Sequence, residues 1–284
     1  MKKYILSASA LFLLLLLPSC YKQEDHLDAS KKQTLYSISY GPHQRNQLDI
    51  MLPANRTQQT PVVIFIHGGA WIGGDKSVFS GEFNQYADAG FACATMNYRF
   101  ASDLEQVYHP ALPEDVKKAV DFIASKSQTW QVAPDRFGLV GHSAGGHLAL
   151  ITSYAFNSDN RIKACASWAG PVDFTDSDQL AIAAAPALFQ TYMGRTLQSA
   201  ADTASYRSAS PYWNVQAQSV PSMLIYATND ELVPFSNGIK MQAMLDSAGV
   251  NNNFKALQGA SHTWGGNYLT ESRNLTLQWF QQHL

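Results

Sequence analysis

Cysteine is scarce in this chain. Cys20, Cys93 and Cys165 are the only three in 284 residues. That is too few for a disulfide framework, and no Cys/His spacing resembles a zinc site. The H-E-x-x-H pattern is absent as well, so no metal is expected. Charge is also thin: 15% of residues are charged, the formal net charge is -2, and Lys and Arg never form a block. A nucleic-acid partner is therefore not expected. No segment repeats, which excludes solenoids and propellers. What remains is a chain that is 46% apolar, enough for one domain with a large core.

The beginning differs from the rest. Lys2 and Lys3 precede an apolar stretch culminating in Leu11-Phe12-Leu13-Leu14-Leu15-Leu16-Leu17, and Pro18-Ser19-Cys20 follows. A basic start, a short apolar middle and a small residue before the cut describe a secretory signal. The stretch is short for a membrane span. Leu17-Pro18-Ser19-Cys20 resembles the lipobox of bacterial lipoproteins, with proline where a small residue is usual. The resemblance implies lipidation of Cys20 and a protein exported to the bacterial cell envelope, lipid-anchored to a membrane. Glu24-Asp25 close behind resembles signals that send some lipoproteins to the outer surface. Residues 1–20 are then signal, 21–32 a polar flexible tether and 33–284 the domain.

Within the domain, 35–40 and 47–52 alternate and suggest an antiparallel start. Continuous apolar runs follow at 62–66, 91–96, 135–140, 163–168 and 223–227, with a shorter strand at 254–257. Continuous rather than alternating runs mark strands buried on both faces. Helical patterns occupy 79–89, the stretch from Pro113, 239–248 and 275–284. The rhythm lapses over 171–210, which reads as a small cap insertion, with a helix near 181–188. The whole is an α/β doubly wound fold: a mostly parallel central sheet with helices on both faces. Cys93 and Cys165 fall in central strands. Free buried thiols are the simpler reading, and a disulfide in an exported protein stays open.

The chain is organised around Gly141-His142-Ser143-Ala144-Gly145-Gly146, between a strand and a helix. Glycines two residues to either side of Ser143 allow a sharp turn that pushes its Oγ outward. Such a serine needs a base, and the base an orienting acid. Asp230 and His262 each follow a strand, and the order Ser, Asp, His is that of the α/β-hydrolase fold. Asp173, Asp176 and Asp202 are rival acids, but lie in the irregular insertion. Oxyanion donors are expected from Ala144 and from Gly69 and Ala70 in the loop after 62–66. His67 is read as a brace for that loop. Trp71, Tyr98, Trp168 and Trp213 belong to the core or to a pocket, Trp71 being the best pocket candidate.

His67-Gly68-Gly69-Ala70 resembles the HGGG loop of hormone-sensitive-lipase-like esterases, with Ala in the fourth position. Together with Trp71, Gly73, Asp75-Lys76, Asn97-Tyr98-Arg99, Gly141 to His147, Asp230-Glu231-Leu232-Val233-Pro234 and Gly259-x-x-His262, it is similar to the carboxylesterases of the α/β-hydrolase superfamily. The similarity is greatest to the BD-FAE-like group, sometimes described as bifunctional feruloyl and acetyl-xylan esterases. It implies hydrolysis of carboxylic esters without a cofactor, the substrate being a small-molecule or polysaccharide ester. Exopeptidases and arylformamidases share similar motifs, and a glycan-binding lipoprotein could reuse the fold without catalysis.

Overall fold

The computed structural model describes residues 27–284. The signal segment, Cys20 and the start of the tether lie outside the described residues. The first strands, β1 (Gln33–Ser39) and β2 (Gln47–Leu52), form an antiparallel pair. Then come β3 (Val62–Ile66), a 3-10 turn (Lys76–Glu82), helix α1 (Phe83–Asp88) and β4 (Ala92–Met96). Helices α2 (Ala111–Ser125) and α3 (Ser127–Trp130) lead to β5 (Phe137–His142), α4 (Ala144–Ala155) and β6 (Ile162–Trp168). Three short helices follow: α5 (Ser177–Leu180), α6 (Ala185–Met193) and α7 (Ala200–Ser208). The chain closes with β7 (Ser222–Ala227), α8 (Ser236–Ser247), β8 (Asn252–Leu257) and α9 (Gly266–His283).

The strands form one sheet in the order β1-β2-β4-β3-β5-β6-β7-β8. From β4 to β8 every pairing is parallel. Every residue of β3 and β4 is buried, as continuous apolar strands covered on both faces require. From β3 the chain crosses to β4 on one side. It returns to lay β5 on the other side, so the winding reverses between β3 and β5. Ligands of doubly wound sheets sit at such a reversal, outside the C-terminal strand ends. Ile66 pairs with Gly141 there, so the loops after β3 and β5 emerge side by side.

Three helices differ from the sequence expectation. The cap helix runs Ala185–Met193 rather than over 181–188. Pro186 sits in its first turn and Gly194, at φ 68°, ends it, the positions where proline and glycine favour helix boundaries. Helix α9 begins at Gly266, nine residues before the expected start at 275. Its buried face includes Ser272 and Thr276 besides Trp279 and Phe280, so polar residues hide the apolar period. The expected helix over 79–89 begins instead as the 3-10 turn, capped by the Asp75 carboxylate on the Ser77 N–H.

Residues 27–32, expected as part of a flexible tether, are pinned to the domain. The Arg56 side chain, almost wholly buried, donates to the carbonyls of Asp28 (3.1 Å), Lys31 (2.7 Å), Pro53 (3.2 Å) and Trp130 (2.9 Å). Its last nitrogen reaches Gln33 Oε1 at 3.0 Å. Nη1 shares its two hydrogens among the carbonyls of Asp28, Lys31 and Pro53, while Nε serves Trp130. Cys93 and Cys165 are buried free thiols. They lie on β4 and β6 with β3 and β5 between them, beyond the reach of a disulfide.

Candidate active site

Ser143 sits between β5 and α4 at φ 55°, ψ −123°, a region non-glycine residues avoid because it is strained. The glycines around it explain how the turn closes. A Cβ on Gly145 would lie 2.0 Å from the Ile66 carbonyl oxygen, and one on Gly141 would lie 2.3 Å from the Gly145 carbonyl carbon. No side chain fits at either position, so the serine is held at the apex by backbone packing alone.

The three distant residues meet. His262 Nδ1 lies 2.8 Å from Asp230 Oδ2, and His262 Nε2 lies 2.9 Å from Ser143 Oγ. The carboxylate only accepts, so Nδ1 carries the hydrogen and Nε2 presents its lone pair to the hydroxyl. Asp230 also accepts from the N–H groups of Leu232 (2.9 Å) and Val233 (2.8 Å). These bonds fix which oxygen faces the imidazole. The rival acids are engaged elsewhere. Asp173 accepts from Thr175, Asp176 caps α5 and pairs with Lys240, and Asp202 completes a capping box with Ser199 at the start of α7.

The His67–Ala70 loop packs directly on the serine. A Cβ on Gly68 would lie 3.3 Å from Ser143 Cβ and 2.9 Å from the His142 carbonyl oxygen. Gly69, Ala70 and Trp71 all have positive φ, at 110°, 50° and 64°. The chain therefore coils tightly here, and backbone coils of this kind gather N–H groups into an anion-binding concavity. Helix α4 begins at Ala144, whose N–H has no partner within the helix and lies at its positive end.

The remaining motif residues hold this loop. His67 donates from Nδ1 to the Gly68 carbonyl (2.6 Å), accepts at Nε2 from Arg45 (3.3 Å) and stacks on Tyr98. Burial, joined by the Arg45 charge, pushes its pKa down to about 4, so it braces and does not titrate near neutrality. Tyr98 donates to the His67 carbonyl at 3.0 Å. Asn97 ties Asp75 to the Lys76 N–H, Lys76 pairs with Asp49, and Arg99 grips the buried Asp115 with two nitrogens.

Sequence reasoning gave no role to three residues at the site. His142 donates from Nε2 to the His262 carbonyl (2.9 Å), and Glu231 Oε2 accepts the His262 N–H (3.1 Å). The backbone of His262 is thus gripped on both sides, by the neighbour of the serine and the neighbour of the acid. Their adjacency in sequence to Ser143 and Asp230 was the available signal. The third is His147. It accepts the Trp71 indole N–H at Nδ1 (3.2 Å) and donates from Nε2 to the Ala209 carbonyl (2.8 Å), linking the loop after β3 to the end of α7. Burial holds His142 and His147 neutral, pushed down to about 4 and about 3, with the nearby His262 adding to the effect at His142.

Trp71 is buried yet borders a cavity that opens on Ser143. Tyr98 and Trp168 are core residues, and Trp213 is exposed beneath the Arg207 guanidinium, with no part in this site. Among the described residues no group of three His, Cys, Asp or Glu side chains could hold a metal ion.

The sheet order, the serine turn and the succession Ser, Asp, His define an α/β-hydrolase fold. The chain belongs to the BD-FAE family, whose model matches residues 48–245. The "Probable carboxylic ester hydrolase LipM" of Mycobacterium tuberculosis is 30% identical over 213 residues, which cover 69% of this chain and 48% of that protein. "Esterase LipQ" of the same organism is 26% identical over 245 residues, 80% of this chain and 56% of that protein. The matched region is therefore about half of each of these relatives. A solved structure described as a "Truncated form of carbohydrate esterase from gut microbiota" superposes with a TM-score of 0.77 at 20% identity, over 90% of this chain and 98% of that one. At that identity it speaks for the fold.

Proposed function

We propose that this chain is a serine carboxylic ester hydrolase acting through an acyl-enzyme on Ser143. The observation that carries the reading is the unbroken line from the Asp230 carboxylate through the His262 imidazole to Ser143 Oγ. Ser143 Oγ attacks the ester carbonyl as its proton passes to His262 Nε2. The oxyanion accepts hydrogen bonds from the N–H groups of Gly69, Ala70 and Ala144, which need not reorganise as charge develops. His262 then protonates the leaving alcohol. Water enters, gives its proton to His262 and attacks the acyl carbon. Collapse releases the acid and restores Ser143. Asp230 keeps the imidazole in the right tautomer throughout. Acetyl or feruloyl esters of plant polysaccharide suit the family and the carbohydrate-esterase neighbour.

Ser143→Ala is expected to lower kcat on p-nitrophenyl acetate by about 10⁴-fold or more, with an unchanged melting temperature. A variant as active as the parent would sink the reading. Labelling of Ser143 by a fluorophosphonate separates catalysis from a glycan-binding role on the same fold. Export and lipid attachment at Cys20 belong to the same proposal, supported by Lys2, Lys3, the leucine run and Leu17-Pro18-Ser19-Cys20. Among the described residues no helix is long and apolar enough to cross a membrane. Cys20→Ser is expected to abolish incorporation of radiolabelled fatty acid into the protein, and unchanged incorporation would overturn the lipid assignment.

A further inference from the structure

The Gly69 N–H shares a peptide unit with the Gly68 carbonyl. That unit is trans, so the two groups point in opposite directions. Whatever holds the Gly68 oxygen therefore aims the Gly69 N–H. Two groups hold it, His67 Nδ1 at 2.6 Å and the Tyr98 hydroxyl at 3.4 Å. His67 can donate there only when its hydrogen sits on Nδ1. A neutral imidazole left to itself carries that hydrogen on either nitrogen, so another group must make the choice.

Arg45, 22 residues before His67 and outside every motif of the sequence, is placed to make it. Its Nη2 lies 3.3 Å from His67 Nε2. A guanidinium only donates, which leaves Nε2 bare and puts the hydrogen on Nδ1. Burial keeps a second proton off the ring near neutrality. Arg45 is itself locked. Its Nε donates to the Tyr98 carbonyl at 2.8 Å, and Nη2 donates also to the Gly74 carbonyl at 3.1 Å. The guanidinium lies over the Phe100 ring, 3.5 Å from its centre. Gly74 is where the coil returns on itself, since a Cβ there would lie 2.4 Å from the Gly68 oxygen. One nitrogen thus pins both ends of the coil that runs from His67 to Gly74.

We propose that Arg45 is a positioning residue for the oxyanion: its bond to His67 Nε2 fixes the tautomer that holds the Gly68 carbonyl, and so aims the Gly69 N–H. This rests on the esterase reading above. Arg45→Met removes every donor of that side chain. It is expected to lower kcat on p-nitrophenyl acetate by about 10- to 100-fold, less than outright loss of an oxyanion donor, with KM unchanged. Affinity for a trifluoromethyl ketone should fall by the same factor, because its adduct with Ser143 carries the same oxyanion. A folded Arg45→Met protein with the parent's kcat overturns the proposal, and so does one that loses kcat but keeps ketone affinity. The imidazole nitrogen chemical shifts give a reading that needs no variant. At neutral pH the parent should show His67 with its hydrogen on Nδ1 and a bare Nε2. The opposite tautomer overturns the proposal, even where Arg45→Met fails to fold. In the folded variant the hydrogen should spread onto Nε2, and a hydrogen that stays on Nδ1 overturns it too. A parent protein with no turnover of p-nitrophenyl acetate overturns the esterase reading itself.

Discussion

The rim formed by the ends of β3 and β5 and the cap formed by α5, α6 and α7, of which α5 and α6 reach the cavity beside Ser143, are built on different principles. In the rim, neighbouring parallel strands fix two loops by backbone contact. Gly141 and Gly145 leave no room for a Cβ, Ser143, Ala70 and Trp71 occupy strained conformations, and His67, Tyr98 and Asn97 tie the loops from behind. In the cap, short helices with many exposed side chains attach through a few large ones, Phe174, Phe189, Tyr192 and Tyr206. Strain persists only where the surroundings over-determine it. The rim can therefore hold reacting atoms in place, and the cap can change without disturbing them. On the proposed function, the rim sets what chemistry occurs and the cap sets which molecule fits.

That division can be broken from either side. The largest effect is expected from Gly145→Ala, which sets a methyl 2.0 Å from the Ile66 carbonyl oxygen. Denaturant unfolding should show a loss of about 3 kcal/mol or more, or no folded protein. Asp230→Asn should leave the fold intact and reduce kcat by about 10⁴-fold, since the amide favours the wrong imidazole tautomer.

The neutral histidines behind the rim give a third test. His67, His142 and His147 have pKa values pushed below the ordinary value of about 6.5 by burial. The unfolded chain therefore binds more protons than the folded one in acid. Their contribution is fully present above pH 6.5 and is lost as pH falls through about 4. Melting temperature should drop steadily over that window, and His142→Gln should flatten the drop. The glutamine amide can still donate to the His262 carbonyl, so kcat should survive in this variant and fall about tenfold in His142→Ala. The smallest effect is expected in the cap. Ser199→Ala removes the cap of α7 and should cost about 1 kcal/mol of stability, with the rate on acetate unchanged. A large fall in that rate would mean the cap takes part in the chemistry after all.

Much of the rim was legible in the sequence because each part of it is local. A continuous apolar run ends in His67-Gly68-Gly69, another in Gly141-His142-Ser143, and a third leads to Asp230. Each pattern states its own place at a strand end. The cap was not legible in that way. Its only strong punctuation is Pro186 and Gly194, and the alanine-rich run before Pro186 suits a helix as well as the apolar run after it. Helix α9 was half hidden because Ser272 and Thr276 face the core. The grip of His142 and Glu231 on the His262 backbone was invisible for a different reason. It depends on how three loops meet, and no spacing within one loop encodes it.

The way Arg56 gathers residues 27–33 has a practical bearing. That gathering lies where the parallel strands begin, and Ser143 lies where they end. A bead or surface coupled ahead of this segment would hold the molecule by its underside, leaving the mouth turned toward the surrounding medium. Immobilised so, the protein should still work on an insoluble polymer. Coupling through the exposed side of α6 should silence it on the polymer while sparing small soluble esters.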